Sequence, residues 1–286
     1  YKLKGVKSRG ILRYLDDIGV VEVAKPIGVI GCVAPTTNPT MTPNHNAMIA
    51  LKGGNAIIVC PHPRAKATGV KTVELMRRAL GEIGCPQDLI QIVEEPTMEA
   101  SGLVMSLCDA CVSTGGPGMV KAAYSSGKPA FGVGAGNVQS LVDTDVDLAE
   151  AAAKIAKSRT YDNGVLCTCE QCVHVPREKY GAMVELLQAQ GGAYIGEDRE
   201  VDALRKAMFP NGSINKDVVG ATPQEIAALA GLSVPETARF LLVRVTRGGA
   251  EEPLSKEKLC PVLAICPYDS WEQAVALAVK NLKNEG

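Results

Sequence analysis

Apolar and polar positions change period many times along this chain. Short unbroken apolar runs alternate with stretches whose apolar residues recur every three or four positions. Residues 27–33 form one such run and predict a buried strand, and residues 46–51 predict a helix stopped by Gly53 and Gly54. Residues 56–60 predict the next strand. A helix follows with Val70, Val73 and Leu80 inward and Gly81 as its stop. Runs at 89–93, 110–113 and 130–133 continue the alternation. Repeated strand–helix–strand units imply a parallel sheet covered on both faces. With right-handed crossovers, this gives a doubly wound, Rossmann-like domain over residues 1–136.

A second α/β unit is expected over residues 137–286. It opens with a strand at 138–142, then a helix with Leu148, Ala152 and Ile155 on one face. A cysteine-bearing loop and a β-like run at 172–175 follow. Later come a helix at 224–230, a strand at 240–245 and a closing helix at 271–282. There is no fixed-period repeat. The fold class is therefore α/β, with two domains.

Composition narrows the function classes. At 286 residues, 46% hydrophobic and 21% charged, the chain can bury a sizeable core. A net charge of −1 gives no reason to expect nucleic acid or an acidic membrane surface as partner, and 4% aromatics argues against a base-stacking platform. No apolar run approaches the roughly 20 residues needed to span a bilayer, and the amino terminus lacks a signal-peptide layout. Ten cysteines at irregular spacings read as reduced thiols in a cytoplasm, not as a secreted disulfide framework.

Cys167 stands out among those thiols. It follows an Asn163-Gly164 turn and sits between an alanine-rich helical segment and the β-like run. A loop position leaves a thiol accessible and aimable, as a nucleophile must be. The same position could equally hold a structural cysteine. Upstream stand Pro35-Thr36-Thr37-Asn38, Pro61-His62-Pro63-Arg64, Ser113-Thr114-Gly115-Gly116 and Gly132-Val133-Gly134-Ala135-Gly136-Asn137.

In this order, and over essentially the whole chain, these motifs resemble the coenzyme-A-acylating aldehyde dehydrogenases. That family includes the aldehyde dehydrogenase half of bifunctional aldehyde–alcohol dehydrogenases. The resemblance implies an aldehyde dehydrogenase-like fold, with a Rossmann-like cofactor domain, a second α/β catalytic domain, and further sequence beyond both ends. It implies that Cys167 is the nucleophile and that Asn38 donates to the oxyanion, although an Asn before a proline also serves as a plain turn cap. It places Pro35, Thr36, Thr37, Pro61, His62, Pro63, Thr114, Gly115, Gly116, Gly132, Val133, Gly134 and Glu257 around the cofactor. Thr114 to Gly116 match the pyrophosphate contact, residues 61–63 the adenosine ribose site and Glu257 the nicotinamide ribose contact. As a lone residue, Glu257 would read as a solvated surface charge. Near residues 61–63 no carboxylate selects a free 2′-hydroxyl and Arg64 lies close in sequence. NAD is the first choice and NADP stays open.

Hydrolytic relatives carry a water-activating glutamate where this chain has Gly132. None of the histidines, His45, His62 and His174, lies beside the cysteine motif in sequence. A thiol cosubstrate, coenzyme A, is then the natural acceptor of the acyl group. Acetaldehyde, propionaldehyde and a sulfonated two-carbon aldehyde all stay open as substrates, and a homo-oligomer is expected of the intact protein. A different class of reading takes the C-x-x-C pairs Cys108/Cys111 and Cys169/Cys172 as the ligands of a zinc-binding or scaffold module.

Overall fold

The computed structural model describes residues 3–285. The chain divides into two compact units, the first ending at Gly134 and the second beginning at Ala135.

The first unit opens with an antiparallel hairpin of β1 (Gly10–Leu15) and β2 (Val20–Ala24). The hairpin has no strictly buried face, so its sequence carried no clean alternation. The doubly wound part follows as β3 (Val29–Val33), α1 (Met41–Lys52), β4 (Ala56–Cys60), α2 (Lys66–Glu82), β5 (Ile90–Ile92), α3 (Met98–Leu107), β6 (Ala110–Thr114), α4 (Pro117–Tyr124) and β7 (Ala130–Val133). All pairings are parallel, in the order β5-β4-β3-β6-β7. The chain winds outward from β3 to β5, then crosses back through α3 to β6, so the winding reverses between β3 and β6. Ala47, Ala50 and Val73 from α1 and α2 cover one face of the sheet, and Val104, Met105 and Ala123 from α3 and α4 cover the other.

Two helix boundaries differ from expectation. α1 begins at Met41, well before residue 46, with Pro43 inside its first turn. A first-turn proline removes no intrahelical hydrogen bond, because that N–H has no partner in any helix. Gly81 lies inside α2 and does not stop it; the chain turns at Gly84, whose φ is +73°.

The second unit runs β8 (Val138–Leu141), α5 (Leu148–Arg159), β9 (Glu170–Pro176), α6 (Tyr180–Ala189), β10 (Gly192–Ile195), α7 (Asp198–Met208), α8 (Pro223–Leu229), β11 (Phe240–Arg244), β12 (Val262–Tyr268) and α9 (Trp271–Asn284). Its sheet is again wholly parallel, in the order β10-β11-β12-β9-β8. Ala152, Ile155, Met183 and Leu187 of α5 and α6 pack on one face, and Val201, Leu204, Met208 and Ile226 of α7 and α8 on the other. Because each strand is covered on both sides, β11 and β12 read as continuous apolar runs without alternation. No helix among the described residues is long and apolar enough to cross a membrane.

Phe240 is wholly buried in the second unit's core. Phe240→Ala should cost about 3–5 kcal/mol, the usual range for a deleted core aromatic. Urea unfolding of the intact protein checks this; a loss near zero would mean the ring is not part of the packed core.

Candidate active site

In the first unit every candidate segment falls at the carboxyl edge of the parallel sheet. Pro35, Thr36, Thr37 and Asn38 follow β3; Pro61, His62 and Pro63 follow β4; Thr114 is the last residue of β6, with Gly115 and Gly116 after it; Gly132 and Val133 end β7, with Gly134 beyond. The loops after β3 and β6 flank the reversal in winding, where open α/β sheets form their ligand crevice.

Asn38 is half-buried, and its Oδ1 accepts from the Met41 N–H at 3.1 Å, at the start of α1. The capping role is therefore present, but it uses only the oxygen. The Nδ2 end, the donor that an oxyanion requires, is the end that capping leaves over. At the next strand end, the His62 Nδ1 accepts from the Arg64 N–H at 3.1 Å. Burial first, then the Arg64 charge, holds the His62 imidazole below its ordinary pKa. Gly115 uses its own N–H within the sheet, donating to the Val133 carbonyl at 3.0 Å. Backbone contact with a phosphate here would fall to Gly116, which caps α4, and to Gly118.

Gly132 has little room for a side chain. A Cβ there would stand 2.7 Å from Val120 Cγ1 and 2.8 Å from the Tyr124 ring, and its N–H donates to the Tyr124 hydroxyl at 3.1 Å. The lack of any side chain at Gly132 is thus part of a local packing arrangement.

In the second unit three neighbouring parallel strands, β8, β9 and β12, enter from the same edge of the sheet. Gly136 precedes β8, Cys167 precedes β9 and Glu257 precedes β12, and the structure brings these three together. A Cβ on Gly136 would lie 2.4 Å from the Cys167 carbonyl oxygen, so the two backbones touch. The Gly136 N–H donates to Glu257 Oε1 at 3.0 Å. Glu257 is half-buried, not a solvated surface charge. Burial raises its carboxyl pKa, while the Gly136 N–H pulls the other way.

The thiol loop itself depends on three successive left-handed residues, Asp162 and Asn163 (both φ +48°) and Gly164 (φ +64°). Asn and Asp tolerate that conformation, and glycine adopts it freely. At Gly164 no other residue would fit, since a Cβ would be 2.9 Å from the Arg159 and Cys260 carbonyl oxygens. Asn163 Nδ2 further anchors the turn on the Gly220 carbonyl at 3.2 Å.

Of the ten cysteines, all within the described residues, Cys167 alone is exposed. Burial raises the thiol pKa of Cys60, Cys108, Cys111, Cys169 and Cys172, and pushes Cys32, Cys260 and Cys266 up to about 11. Such thiols are poorly reactive, because the thiolate is the attacking species. Cys169 is held inward as well, with its Sγ donating to the Ser158 carbonyl at 3.2 Å.

Two buried cations lie beneath the loops, and sequence reasoning missed both. Arg159 and Lys258 are each 0% exposed. Arg159 donates to the carbonyls of Glu170 at 2.9 Å, Gly164 at 3.5 Å and Cys260. Lys258 Nζ donates to the carbonyls of Gln171, Leu254 and Lys256, each at 2.9 Å. Burial, reinforced by the Arg159 charge, pushes the Lys258 pKa down to about 7. Sequence patterns assign Lys and Arg to the surface, so neither residue signalled its place.

The zinc reading finds no support. Among the described residues no three His, Cys, Asp or Glu side chains group as a metal ion requires. Cys111 and Cys172 lie inside β6 and β9, each within a hydrophobic core.

The aldehyde dehydrogenase family model matches residues 9–203, and the chain belongs to that family. It is 44% identical to the succinate-semialdehyde dehydrogenase (acetylating) of Clostridium kluyveri, over 99% of this chain and 63% of that protein. The crystal structure of an acetylating aldehyde dehydrogenase from Geobacillus thermoglucosidasius superposes with a TM-score of 0.92 at 39% identity, covering 99% of this chain and 63% of that one. A propionaldehyde dehydrogenase from Rhodopseudomonas palustris, solved with bound CoA and an acylated cysteine, matches with a TM-score of 0.82 at 30% identity. It covers 90% of this chain and 58% of that one. The chain thus spans about 63% of the length of the first two.

Exposure and burial together predict the order of thiol modification. Iodoacetamide at neutral pH should label Cys167 first, with the half-buried Cys85 next and the other eight slower by at least about tenfold. Peptide mapping after brief labelling checks this; early labelling of Cys169 or Cys172 would contradict the burial described.

Proposed function

We propose that the intact protein containing this chain is a coenzyme-A-acylating aldehyde dehydrogenase. It converts a small aldehyde, CoA and an oxidised nicotinamide dinucleotide into acyl-CoA and the reduced cofactor, reversibly. The observation that carries this reading is the exposed Cys167, held against Gly136 with the Glu257 carboxylate on the same glycine.

In the forward direction the Cys167 thiolate adds to the aldehyde carbonyl, forming a C–S bond and a thiohemiacetal oxyanion. The Cys167 backbone N–H serves as one donor to that oxygen, and the family resemblance assigns the second to the Asn38 side-chain amide. A bound nicotinamide dinucleotide supplies the hydride acceptor, and loss of hydride from the thiohemiacetal carbon leaves an acyl thioester on Cys167. The CoA thiolate then attacks the thioester, and Cys167 departs as thiolate to begin again. Water competes poorly, because Gly132 offers no carboxylate to deprotonate it and His174 is buried with its pKa pushed down to about 4.

The residues present fit the cofactor. The crevice between the β3 and β6 loops, with Gly116 and Gly118 at the start of α4, suits a pyrophosphate. In the second unit Glu257 is oriented by the Gly136 N–H to accept from ribose hydroxyls. Residues 61–63 would take the adenosine ribose, with NAD as first choice and NADP open. The first unit then acts as the dinucleotide-binding domain and the second as the thiol domain. The reading extends to a homo-oligomer, and to the cytoplasm on the evidence of ten unpaired thiols; its aldehyde is acetaldehyde, propionaldehyde or sulfoacetaldehyde, which a substrate panel distinguishes.

Three outcomes follow for the intact protein. Cys167→Ala should abolish turnover, with Cys169→Ala retaining most of it. Asn38→Ala should slow turnover roughly a hundred- to a thousandfold, the usual cost of one oxyanion donor. Equal losses at Cys167 and Cys169 would contradict the single-nucleophile mechanism. Without CoA, aldehyde and NAD should yield at most about one reduced cofactor per titrated thiol, and added CoA should restart turnover. Sustained carboxylic acid production with no CoA present would overturn the acylating reading.

A further inference from the structure

Arg159 and Lys258 share an unusual hydrogen-bonding pattern. Each is a fully buried basic side chain: the two terminal nitrogens of Arg159 and the Nζ of Lys258 donate to backbone carbonyls, and only the Arg159 Nε is left without a partner. Burying a charge is costly unless its hydrogen bonds are satisfied, so a plain core strut would be better made of apolar residues. The acceptors show what the two cations achieve. Arg159 joins Gly164 and Glu170, which bracket Cys167 in the thiol loop, to Cys260 in the segment before β12. Lys258 joins Gln171, just past the thiol loop, to Leu254 and Lys256, just ahead of Glu257.

Gln171 completes the link. It is 0% exposed; its Oε1 accepts from the Lys258 N–H at 3.1 Å and its Nε2 donates to the Cys169 carbonyl at 3.2 Å. The segment carrying the thiol and the segment carrying the carboxylate are thus joined on both sides of each functional residue. All the cross-links use main chain on at least one side, which fixes backbone register more rigidly than a contact between flexible side chains.

We infer that Arg159, Lys258 and Gln171 are positioning residues that lock the Cys167 loop and the Glu257 segment into one rigid piece. Thiol and carboxylate then keep a fixed separation while the substrate carbon passes from aldehyde to thioester. This rests on the proposed function for its catalytic meaning, but the mechanical claim stands on the hydrogen bonds alone.

The test uses Lys258→Met and the milder Gln171→Met in the intact protein. Gln171→Met removes two hydrogen bonds without touching a charge and keeps the claim testable if Lys258→Met does not fold. The first measurement is backbone hydrogen exchange. Each substitution should speed exchange at least about tenfold in both 160–171 and 254–261, leaving β10 and β11 unchanged. Acceleration confined to the segment that carries the substitution would overturn the coupling. The second measurement is kinetics per titrated Cys167 thiol. Cofactor KM should rise and kcat per thiol fall, each about tenfold, whereas a residue that only stabilises the fold would reduce the number of titratable thiols and leave both constants alone. If the unsubstituted protein shows no aldehyde turnover, the functional reading fails; the exchange result still decides the clamp.

Discussion

The site in the second unit depends on one constraint, the parallel pairing of β8, β9 and β12. Parallel strands all begin at the same edge of a sheet, so the loops that lead into neighbours lie side by side. Here those loops carry Gly136, Cys167 and Glu257. Close approach then determines the residue types. Gly136 must lack a side chain because the Cys167 carbonyl occupies the space where a Cβ would go, and its bare N–H is what holds the Glu257 carboxylate. The buried cations beneath follow from the same crowding. Loop carbonyls turned into the core need donors, and a guanidinium or ammonium satisfies several at once.

The first unit answers the complementary requirement. Its strands deliver their loops at the carboxyl edge, and the reversal between β3 and β6 opens a crevice there. Under the proposed mechanism this unit holds the dinucleotide and withholds a base. The second point has a packing cause, since the Tyr124 ring and Val120 stand against Gly132 where a side chain would emerge. A substitution that restores a carboxylate at Gly132 must therefore first displace an aromatic ring. Under that mechanism, the preference for a thiol over water would be tied to the packing of α4 against Gly132 as well as to the residue type there.

Much of the fold was legible in the sequence because buried parallel strands are short apolar runs. Residues 56–60 and 130–133 matched their strands to the residue, and the helix face of Ala152 and Ile155 is buried as expected. α7 was equally legible in principle from Val201, Leu204 and Met208 at helical spacing. The hairpin of β1 and β2 was not, since neither face is buried and no alternation marks it. Cys167 could be singled out from its loop, and the structure adds that it is the exposed thiol. What the sequence could not disclose are contacts between distant positions. Gly136 against Cys167, Gly136 to Glu257 and Arg159 to Cys260 join residues far apart in the chain, and no local pattern announces a lysine or arginine that folds inward.

The central claim is that Cys167 carries the acyl group, and running the reaction backwards tests it most directly. Intact protein is mixed with acetyl-CoA, propionyl-CoA or succinyl-CoA in the absence of reduced cofactor, then analysed by mass spectrometry with peptide mapping. The account predicts release of free CoA and a single acyl adduct on Cys167, at no more than one per chain, that is discharged when CoA is added in excess. An adduct on another cysteine, or CoA release by steady hydrolysis with no adduct on Cys167, would contradict it.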